Sequence, residues 1–324
     1  MTTVATRPIC TPTQLEVLND LEPVVDELIA AHEEKRQLWF SSDFLPCSEN
    51  TDDADFIRDL RKRAKQIPDQ ARVALALNLM TEEGLPHFHR LLAVAFGNDT
   101  FWSKWNFLWT AEEDRHGNVM RDYCRESRLF DFNALERQQF EYIRNGFTPA
   151  WGGDPYKTFA YTSAQERATQ ISHESTGKLI GETEPVISGI LRRIAGEEAR
   201  HFVFYMTVFK EILKRDTNRA LQAASEVLPA IDMPGVSMTN FADYAEVLMR
   251  SGVYSADDYK LIVEQLISNW KVDAMTGLND MGEKAQEKIM SIPKRLEKIS
   301  HYIERRMTCK SFNFDVVFGR KLAF

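Results

Sequence analysis

Apolar residues recur at three- and four-residue spacing along almost the whole chain, a pattern typical of amphipathic α-helices. In the segment 12–35 leucine, valine and isoleucine follow this spacing, and Thr11 or Thr13 can cap its start. The same pattern predicts further helices at about 54–66, 70–97, 101–126, 133–146, 156–179, 182–213, 216–228, 239–251, 256–272 and 280–307. Almost no segment shows the alternation of apolar and polar residues that is typical of a β-strand, so the sequence predicts an all-α helical bundle.

The predicted helix at 70–97 is interrupted near its centre. Its apolar positions are so dense that we expect it to be buried on most sides. Residues 81–86 nevertheless bring charges, a glycine and a proline into mid-helix, where proline removes a backbone hydrogen bond and usually kinks the axis. Such a departure inside a core helix needs a compensating reason.

Linkers and composition predict one soluble domain over residues 1–324. The linkers are short, and residues 1–14 have the character of a flexible leader. The 324 residues are 44% apolar and 27% charged, with no uninterrupted apolar run of membrane-spanning length and no secretory signal. We therefore expect no membrane span and a cytoplasmic location, a plastid being less favoured because a clear transit peptide is lacking. The net charge of −8 disfavours nonspecific binding to nucleic acid.

The four cysteines are widely scattered and show no CxxC spacing. They are Cys10, Cys47, Cys124 and Cys309. This spacing argues against a structural zinc site and against a disulfide framework, and it fits a reducing compartment.

Two short motifs carry the candidate chemistry. Glu113 precedes His116 by three residues, and Glu198 precedes His201 by three. Residues at i and i+3 lie on one face of a helix, so each pair can direct a carboxylate and an imidazole at the same point. An isolated pair of this kind usually lies on a solvated helix face, so a single copy would be weak support for a metal site.

The surrounding sequence repeats with the motifs. Glu82 lies 31 residues before Glu113, and Glu166 lies 32 residues before Glu198, about the length of two helices and a turn. A glutamate followed by an ExxH motif, twice, is the ligand scheme of di-iron carboxylate four-helix bundles. The four carboxylates cancel the charge of two divalent ions, and their clustering in an apolar bundle without ions would be very unfavourable. The ligand types suit iron or manganese rather than structural zinc.

Other polar residues near the motifs are ambiguous or expected to be ordinary. Glu112 and Glu197 are either solvent-facing acids or acceptors that orient the histidines. For the five remaining histidines we expect no ligand role, because none has a ligand-spaced partner: His32, His87, His89, His173 and His301.

Several longer segments resemble one family, the soluble acyl-ACP (stearoyl-ACP) desaturases. They run from about residue 36 to the C-terminus and are residues 43–46 (DFLP), 63–69 (RAKQIPD), 81–86 (TEEGLP), 109–117 (WTAEEDRHG), 165–169 (QERAT), 270–273 (WKVD) and 276–278 (TGL). The resemblance implies a ferritin-like four-helix bundle core with additional flanking helices and a homodimer. It also implies a di-iron enzyme that uses O2 and electrons from ferredoxin to remove two hydrogens from an acyl chain on acyl carrier protein.

The resemblance also implies roles for individual residues. Glu82 and His116 would serve one iron, Glu166 and His201 the other, and Glu113 and Glu198 would bridge the two. Thr169 is implied in managing bound oxygen or its protons, the alternative being a threonine that bonds its own helix backbone. Trp39 is implied in electron entry, the alternative being a core aromatic. The resemblance also implies a relay through Trp39, Glu197 and His116, and this chain departs from the plant members in having Glu197 where they have Asp.

The substrate surfaces are less well defined by sequence. Leu91, Val94, Ala95 and Trp109 are candidates for a narrow acyl tunnel, and ordinary core packing explains them equally well. Acyl carrier proteins are strongly acidic, so the basic helix could be their dock or simply a solvated face. Its cations are Arg58, Arg61, Lys62, Arg63 and Lys65.

Two further functions remain open at this point. One is a divergent di-iron enzyme that hydroxylates or desaturates an unusual acyl chain. The other is a ferritin-like iron-binding protein without catalysis. This second function is less favoured, because the chain has helices beyond those of a minimal four-helix ferritin and also the segment 311–314.

Overall fold

A computed structural model describes residues 12–46, 51–97, 100–231 and 233–324 of the chain. Thr11, Cys10, Cys47 and most of the expected leader lie outside these ranges. Residues 12–14, assigned above to the leader, begin the first helix, and Thr13 therefore lies inside that helix. Cys124 is buried, Cys309 is exposed, and both are free thiols.

Twelve α-helices account for most of the described chain. They are α1 (Pro12–Lys35), α2 (Thr51–Ala64), α3 (Asp69–Glu82), α4 (Leu85–Phe96), α5 (Phe101–Ser127), α6 (Phe132–Asn145), α7 (Pro155–Ile180), α8 (Pro185–Arg215), α9 (Thr217–Val227), α10 (Phe241–Arg250), α11 (Ala256–Trp270) and α12 (Asp280–Arg306). These bounds confirm the predicted all-α class and nearly all the predicted helices.

Four long helices, α3, α5, α7 and α8, form the central bundle. α7 packs along α8, and α3 and α5 complete the bundle, with α1 lying across α5 and α8. α9 and α11 pack on α7, α12 packs on α9 and α11, and α10 packs on α3. Within the ranges described, no helix combines the length and apolarity needed to cross a membrane.

Local sequence signals fix where the bundle helices begin. Asp154 accepts a hydrogen bond from the Lys157 amide at the start of α7, and Glu184 accepts one from the Ile187 amide at the start of α8. A proline occupies the first position of both helices, where its missing amide hydrogen costs nothing.

The segment predicted as one kinked helix at 70–97 is two helices. α3 ends at Glu82 and α4 begins at Leu85, so Pro86 falls in the first turn of α4, where proline is tolerated. Gly84 lies in the connection, and a Cβ there would approach the Tyr142 hydroxyl to 2.5 Å. The break therefore places Glu82 at the carboxyl end of a helix, next to a turn that only a small residue can make.

The C-terminal segment departs from the all-helix prediction. β1 (Ser311–Phe314) and β2 (Arg320–Ala323) form an antiparallel two-stranded sheet, with Phe312 opposite Leu322. Phe312 and Phe314 are buried, while Ser311 and Asn313 are exposed. In the sequence this alternation of buried and exposed positions is too short to distinguish from chance. The segment forms a strand because the two phenylalanine rings pack on the core.

Candidate metal centre

The six residues predicted as metal ligands meet in the middle of the central bundle. Two overlapping groups of four can each place one ligand atom per residue within 4.8 Å of the others: Glu82, Glu113, His116 and Glu198 in one, and Glu113, Glu166, Glu198 and His201 in the other. All six side chains are buried. Glu113 and Glu198 belong to both groups, which is the position that bridging carboxylates would occupy.

Both imidazoles present Nδ1 to the carboxylates. His201 Nδ1 lies 3.0 Å from Oε1 of Glu113 and 3.5 Å from Oε2 of Glu198. His116 Nδ1 lies 3.3 Å from Oε1 of Glu198 and 3.6 Å from Oε2 of Glu82. The two halves of the cluster are thus arranged alike, as the internal repeat in the sequence predicts.

The inward-facing atoms of this cluster fit metal ions. Each of the six residues has at least one buried oxygen or nitrogen atom with no hydrogen-bond partner in the described part of the chain, including Nδ1 of both histidines and both oxygens of Glu166. His201 and Glu113 are close, but their contact does not have hydrogen-bond geometry. Buried polar atoms are normally paired, so the convergence of these atoms on shared points fits the binding of cations there. Carboxylates with imidazoles suit iron or manganese.

The electrostatics of the cluster also fit a cation. Burial, together with repulsion from Glu198 and Glu113, raises the pKa of Glu166 well above its ordinary value. Burial alone would lower the pKa of His116 and His201, but the neighbouring carboxylates raise both well above the ordinary value. Both shifts reflect the mutual repulsion of buried carboxylates, which bound divalent ions would offset.

Glu197 holds the outer nitrogen of His116. Its Oε2 lies 2.9 Å from Nε2 of His116, and it also accepts hydrogen bonds from Arg115 at 3.0 Å and from Arg200 at 3.1 Å. Burial raises the pKa of Glu197, but the bond to His116 and the nearby cations lower it overall. An ionised Glu197 makes Nε2 of His116 the protonated nitrogen, which leaves the Nδ1 lone pair free for a metal.

Glu112 holds the outer nitrogen of His201 in the same way. Its Oε2 lies 2.8 Å from Nε2 of His201 and 2.9 Å from Nε2 of His32, and Arg36 lies 3.7 Å from its other oxygen. Burial raises the pKa of Glu112, and the two histidines lower it overall. Glu112 on α5 thus holds a histidine of α8, while Glu197 on α8 holds a histidine of α5. Of the two readings left open for these glutamates, the structure supports the orienting one.

Trp39 lies next to this network. Its ring stacks on His116 with centroids 6.1 Å apart and planes 6° from parallel. Arg115 donates to the backbone oxygen of Trp39 at 2.9 Å while it binds Glu197, and its guanidinium covers the Trp39 ring. The structure therefore brings Trp39, Glu197 and His116 together.

Thr169 is bonded to its own helix. Its hydroxyl donates to the backbone oxygen of Gln165 at 3.1 Å and accepts from the Gln165 amide at 3.0 Å. Thr169 also lines the cavity described below. This geometry is that of a threonine bonded to its own helix backbone, and a role of Thr169 in oxygen chemistry stays a prediction.

Two of the five other histidines contact glutamates of the site, which the sequence did not predict. His32 contacts Glu112, and Nε2 of His173 lies 2.6 Å from Oε1 of Glu82. His173 lies two helical turns after Glu166 on the same face of α7. A search for partners three or four residues apart does not detect this longer spacing. His32 lies on α1, far away in sequence, so no local pattern indicated it. His87, His89 and His301 belong to none of the candidate metal groups found among the described residues.

A cavity of about 390 Å³ adjoins the cluster. Glu82, Glu113, Trp109 and Thr169 line it together with other residues that are mostly apolar, such as Phe88 of α4 and Leu248 of α10. Of the four predicted tunnel residues only Trp109 contributes. Leu91 and Val94 line a separate surface groove, and Ala95 is buried in the core.

Comparisons with known proteins agree with the fold and the cluster. A family model described as fatty acid desaturase matches residues 13–318. The chain is 33% identical over 328 residues to the chloroplastic acyl-[acyl-carrier-protein] desaturase of Cucumis sativus, covering 96% of this chain and 83% of that one. It is 31% identical over 326 residues to the chloroplastic stearoyl-[acyl-carrier-protein] 9-desaturase of Spinacia oleracea, covering 95% and 82%.

One solved structure bears on the fold alone. The X-ray structure of DesA2 from Mycobacterium tuberculosis H37Rv, described as an acyl-ACP desaturase, matches with a TM-score of 0.60 at 20% identity, covering 83% of this chain and 99% of that one.

The bundle defines an all-α protein of the ferritin-like desaturase fold, and its carboxylate–histidine cluster could hold metal ions. The chain belongs to the fatty acid desaturase family, and the protein is an oxidoreductase.

Proposed function

We propose that the protein introduces a double bond into an acyl chain carried on acyl carrier protein. The observation that carries the proposal is the position of two overlapping four-residue groups, which share Glu113 and Glu198, beside an apolar cavity. The relatives named above act on acyl carrier protein substrates by their names, and they match this chain over nearly all of its length.

The proposed reaction removes one hydrogen from each of two adjacent carbons. The acyl segment –CH2–CH2–, one O2, two electrons and two protons give –CH=CH– and two waters. When bound, two iron ions would supply the redox chemistry with O2, which no side chain of the protein can supply. Glu82 and His116 would hold one ion, Glu166 and His201 the other, with Glu113 and Glu198 between them.

The residues around the cluster then have defined tasks. Glu112 and Glu197 fix the tautomer and orientation of the two histidine ligands. The cavity binds the acyl chain and excludes bulk water from the reacting carbons, because its walls are largely apolar. Glu82 and Glu113 line both the cavity and the cluster, so an acyl chain there would lie against the ligands.

Electrons would come from ferredoxin and enter near Trp39. Trp39 is buried and stacks on His116, while its neighbours Leu38 and Phe40 are exposed. This arrangement connects a solvent-facing apolar surface to a ligand of the cluster through one aromatic ring.

Membership of the fatty acid desaturase family leads us to propose a homodimer, and the strongly exposed Phe107 of α5 offers an apolar contact for it. The cytoplasmic location also remains a prediction, the plant relatives being chloroplastic by name.

Metal analysis tests the proposed centre. The protein purified after reconstitution with ferrous iron should hold two iron ions per chain, and Glu113→Ala and His201→Ala should each hold fewer. Glu22→Ala, a change of an acid on α1 outside the cluster, is the matched control and should keep both ions. A wild-type chain that retains no iron would contradict the proposal.

A further inference from the structure

The basic helix predicted as a docking surface is internally neutralised. In α2, Arg58 pairs with Asp55 at 2.7 Å and Lys62 with Asp59 at 3.0 Å. Arg63 lies 3.0 Å from Glu184, which is fully buried. The helix has four acidic and four basic residues, so it has no net charge with which to attract an acidic protein.

A second basic surface lies on α12. The C-terminal half of this helix, residues 291–306, has five cations against two acids, in a chain whose net charge is −8. The cations are Lys294, Arg295, Lys298, Arg305 and Arg306. No ion pair within 4.0 Å involves any of these five among the described residues, and all of them are exposed. Their charge is therefore available to a partner.

Apolar side chains are exposed within the same face. Tyr302 is 56% exposed and Ile299 38% exposed, and both line a shallow groove with Lys294, Arg295 and Lys298. The buried stripe of α12, which includes Leu296 and Ser300, lies on the opposite side. Apolar groups surrounded by unpaired charges of one sign are typical of a surface that binds an oppositely charged protein.

The α12 face lies next to the wall of the apolar cavity. Leu296, between Arg295 and Lys298 in sequence, lines the cavity together with Tyr254, Ser255 and Ala256. One turn later the Ser300 hydroxyl donates to Asp257 at 2.6 Å, which fixes α12 to the start of α11 at that wall. A protein bound to the outer face of α12 would thus be close to the cavity that holds the acyl chain.

We propose that this face of α12, defined by Lys294, Arg295, Lys298, Ile299 and Tyr302, is the docking surface for the acyl carrier protein. The inference rests on the proposed function. The carrier protein is strongly acidic and must bring a tethered acyl chain to the cavity, and both requirements are met here. Ferredoxin is acidic too, but the proposed electron entry is at Trp39, whereas the α12 face adjoins the cavity wall.

Charge reversal on the two basic helices tests the proposal. The test variant is Lys294→Glu with Arg295→Glu and Lys298→Glu, and the matched control is Arg58→Glu with Lys62→Glu on α2. The affinity for stearoyl-loaded acyl carrier protein is measured by fluorescence anisotropy at about 50 mM and about 300 mM salt, because screening shortens the reach of charges over this range. Circular dichroism melting verifies that both variants fold.

The α12 variant should bind the carrier protein about tenfold or more weakly at low salt, and the difference should shrink at high salt. The α2 control should stay within about twofold of the wild type. Tyr302→Ala should weaken binding at both salt concentrations, because its contribution is apolar. An α12 variant that binds like the wild type overturns the proposal, as does one that loses only ferredoxin binding.

A substrate without the carrier separates this inference from the proposed function. Desaturation of a stearoyl-pantetheine thioester should be unchanged in the α12 variant, since that substrate makes no use of the docking face. If the wild type desaturates neither form, the proposed function fails. If the wild type binds and desaturates the carrier-linked form and the α12 variant does so equally well, only the docking inference fails.

Discussion

The Nε2 atom of His173 lies 2.6 Å from the Oε1 atom of Glu82, and both side chains are buried. The other oxygen of Glu82 has no hydrogen-bond partner in the described chain and faces His116 Nδ1 at 3.6 Å. His173 thus fixes one oxygen of Glu82 and leaves the other directed into the cluster. Contacts of this kind commonly change metal affinity by about 10- to 100-fold when they are removed.

His173→Leu should therefore weaken iron binding by about 10- to 100-fold at one of the two positions, because Glu82 loses its orientation. His173→Gln keeps a donor and should restore part of the affinity. Competition with a chelator measures the affinity, and Mössbauer spectra should show one altered iron site and one unaltered site. The exposed His301→Leu is the control. Equal affinity in the wild type and His173→Leu would show that His173 does not position Glu82.

Trp39→Phe tests the route for electrons. Phenylalanine keeps an aromatic ring against His116 but is much harder to oxidise than tryptophan, so we expect turnover supported by ferredoxin to fall about tenfold or more. Single turnover by enzyme reduced chemically beforehand should be nearly unchanged, because the cluster itself is intact. Phe44→Leu, a change at the other ring that packs on Trp39, is the comparison. A parallel loss in both assays would mean that Trp39 supports the cluster rather than electron entry.

Two matched substitutions test which residues contact the acyl chain. Ala245 lines the cavity beside the cluster, whereas Val94 is 42% exposed and lines a separate groove. Ala245→Phe should reduce the cavity volume and shift the preference toward shorter acyl chains. Val94→Phe should leave that preference unchanged. Competition between acyl-ACPs of several lengths, followed by mass spectrometry of the products, gives the comparison, and an effect of Val94→Phe alone would contradict the assignment of the cavity.

Arg63 should matter for stability rather than for docking. It pairs at 3.0 Å with Glu184, which is fully buried and also caps α8. Arg63→Ala leaves this carboxylate without its cation, so we expect a loss of about 1–3 kcal/mol in the free energy of unfolding, reduced from the fully buried case because Arg63 is partly exposed. Arg58→Ala removes only an exposed pair and should cost about 0.5 kcal/mol or less. Urea denaturation measures both.

The sequence predicted the helices and the two ExxH pairs because both depend on short-range spacing, and it predicted Glu82 and Glu166 from the repeat of about 31 residues. Glu113 and His116 must share a helix face whatever else the chain does, and the repeat with Glu198 and His201 supplied the second half. The contact of His32 with Glu112 was not predictable in this way, since it depends on how α1 crosses α5. Such a crossing is set by packing over the whole bundle rather than by local pattern.

The residues of the acyl cavity were harder to predict for a related reason. Leu91 and Val94 lie nine and twelve positions after Glu82, so even one continuous helix would have turned them away from the metal ligand. The structure ends α3 at Glu82, begins α4 at Leu85, and places Leu91 and Val94 in a surface groove. The cavity is lined instead by residues far apart in sequence, such as Ala245 and Leu296, which helix packing brings together.

The central claim is that the cluster of Glu82, Glu113, His116, Glu166, Glu198 and His201 drives desaturation. The most direct measurement is mass spectrometry of the acyl chain after the iron-loaded protein is incubated with stearoyl-ACP, reduced ferredoxin and O2. A product lighter than the substrate by about two mass units, formed by the wild type and absent with Glu113→Ala or His201→Ala, is the predicted result. A product heavier by the mass of one oxygen atom would identify a hydroxylase, and an unchanged acyl chain across several chain lengths would contradict the claim.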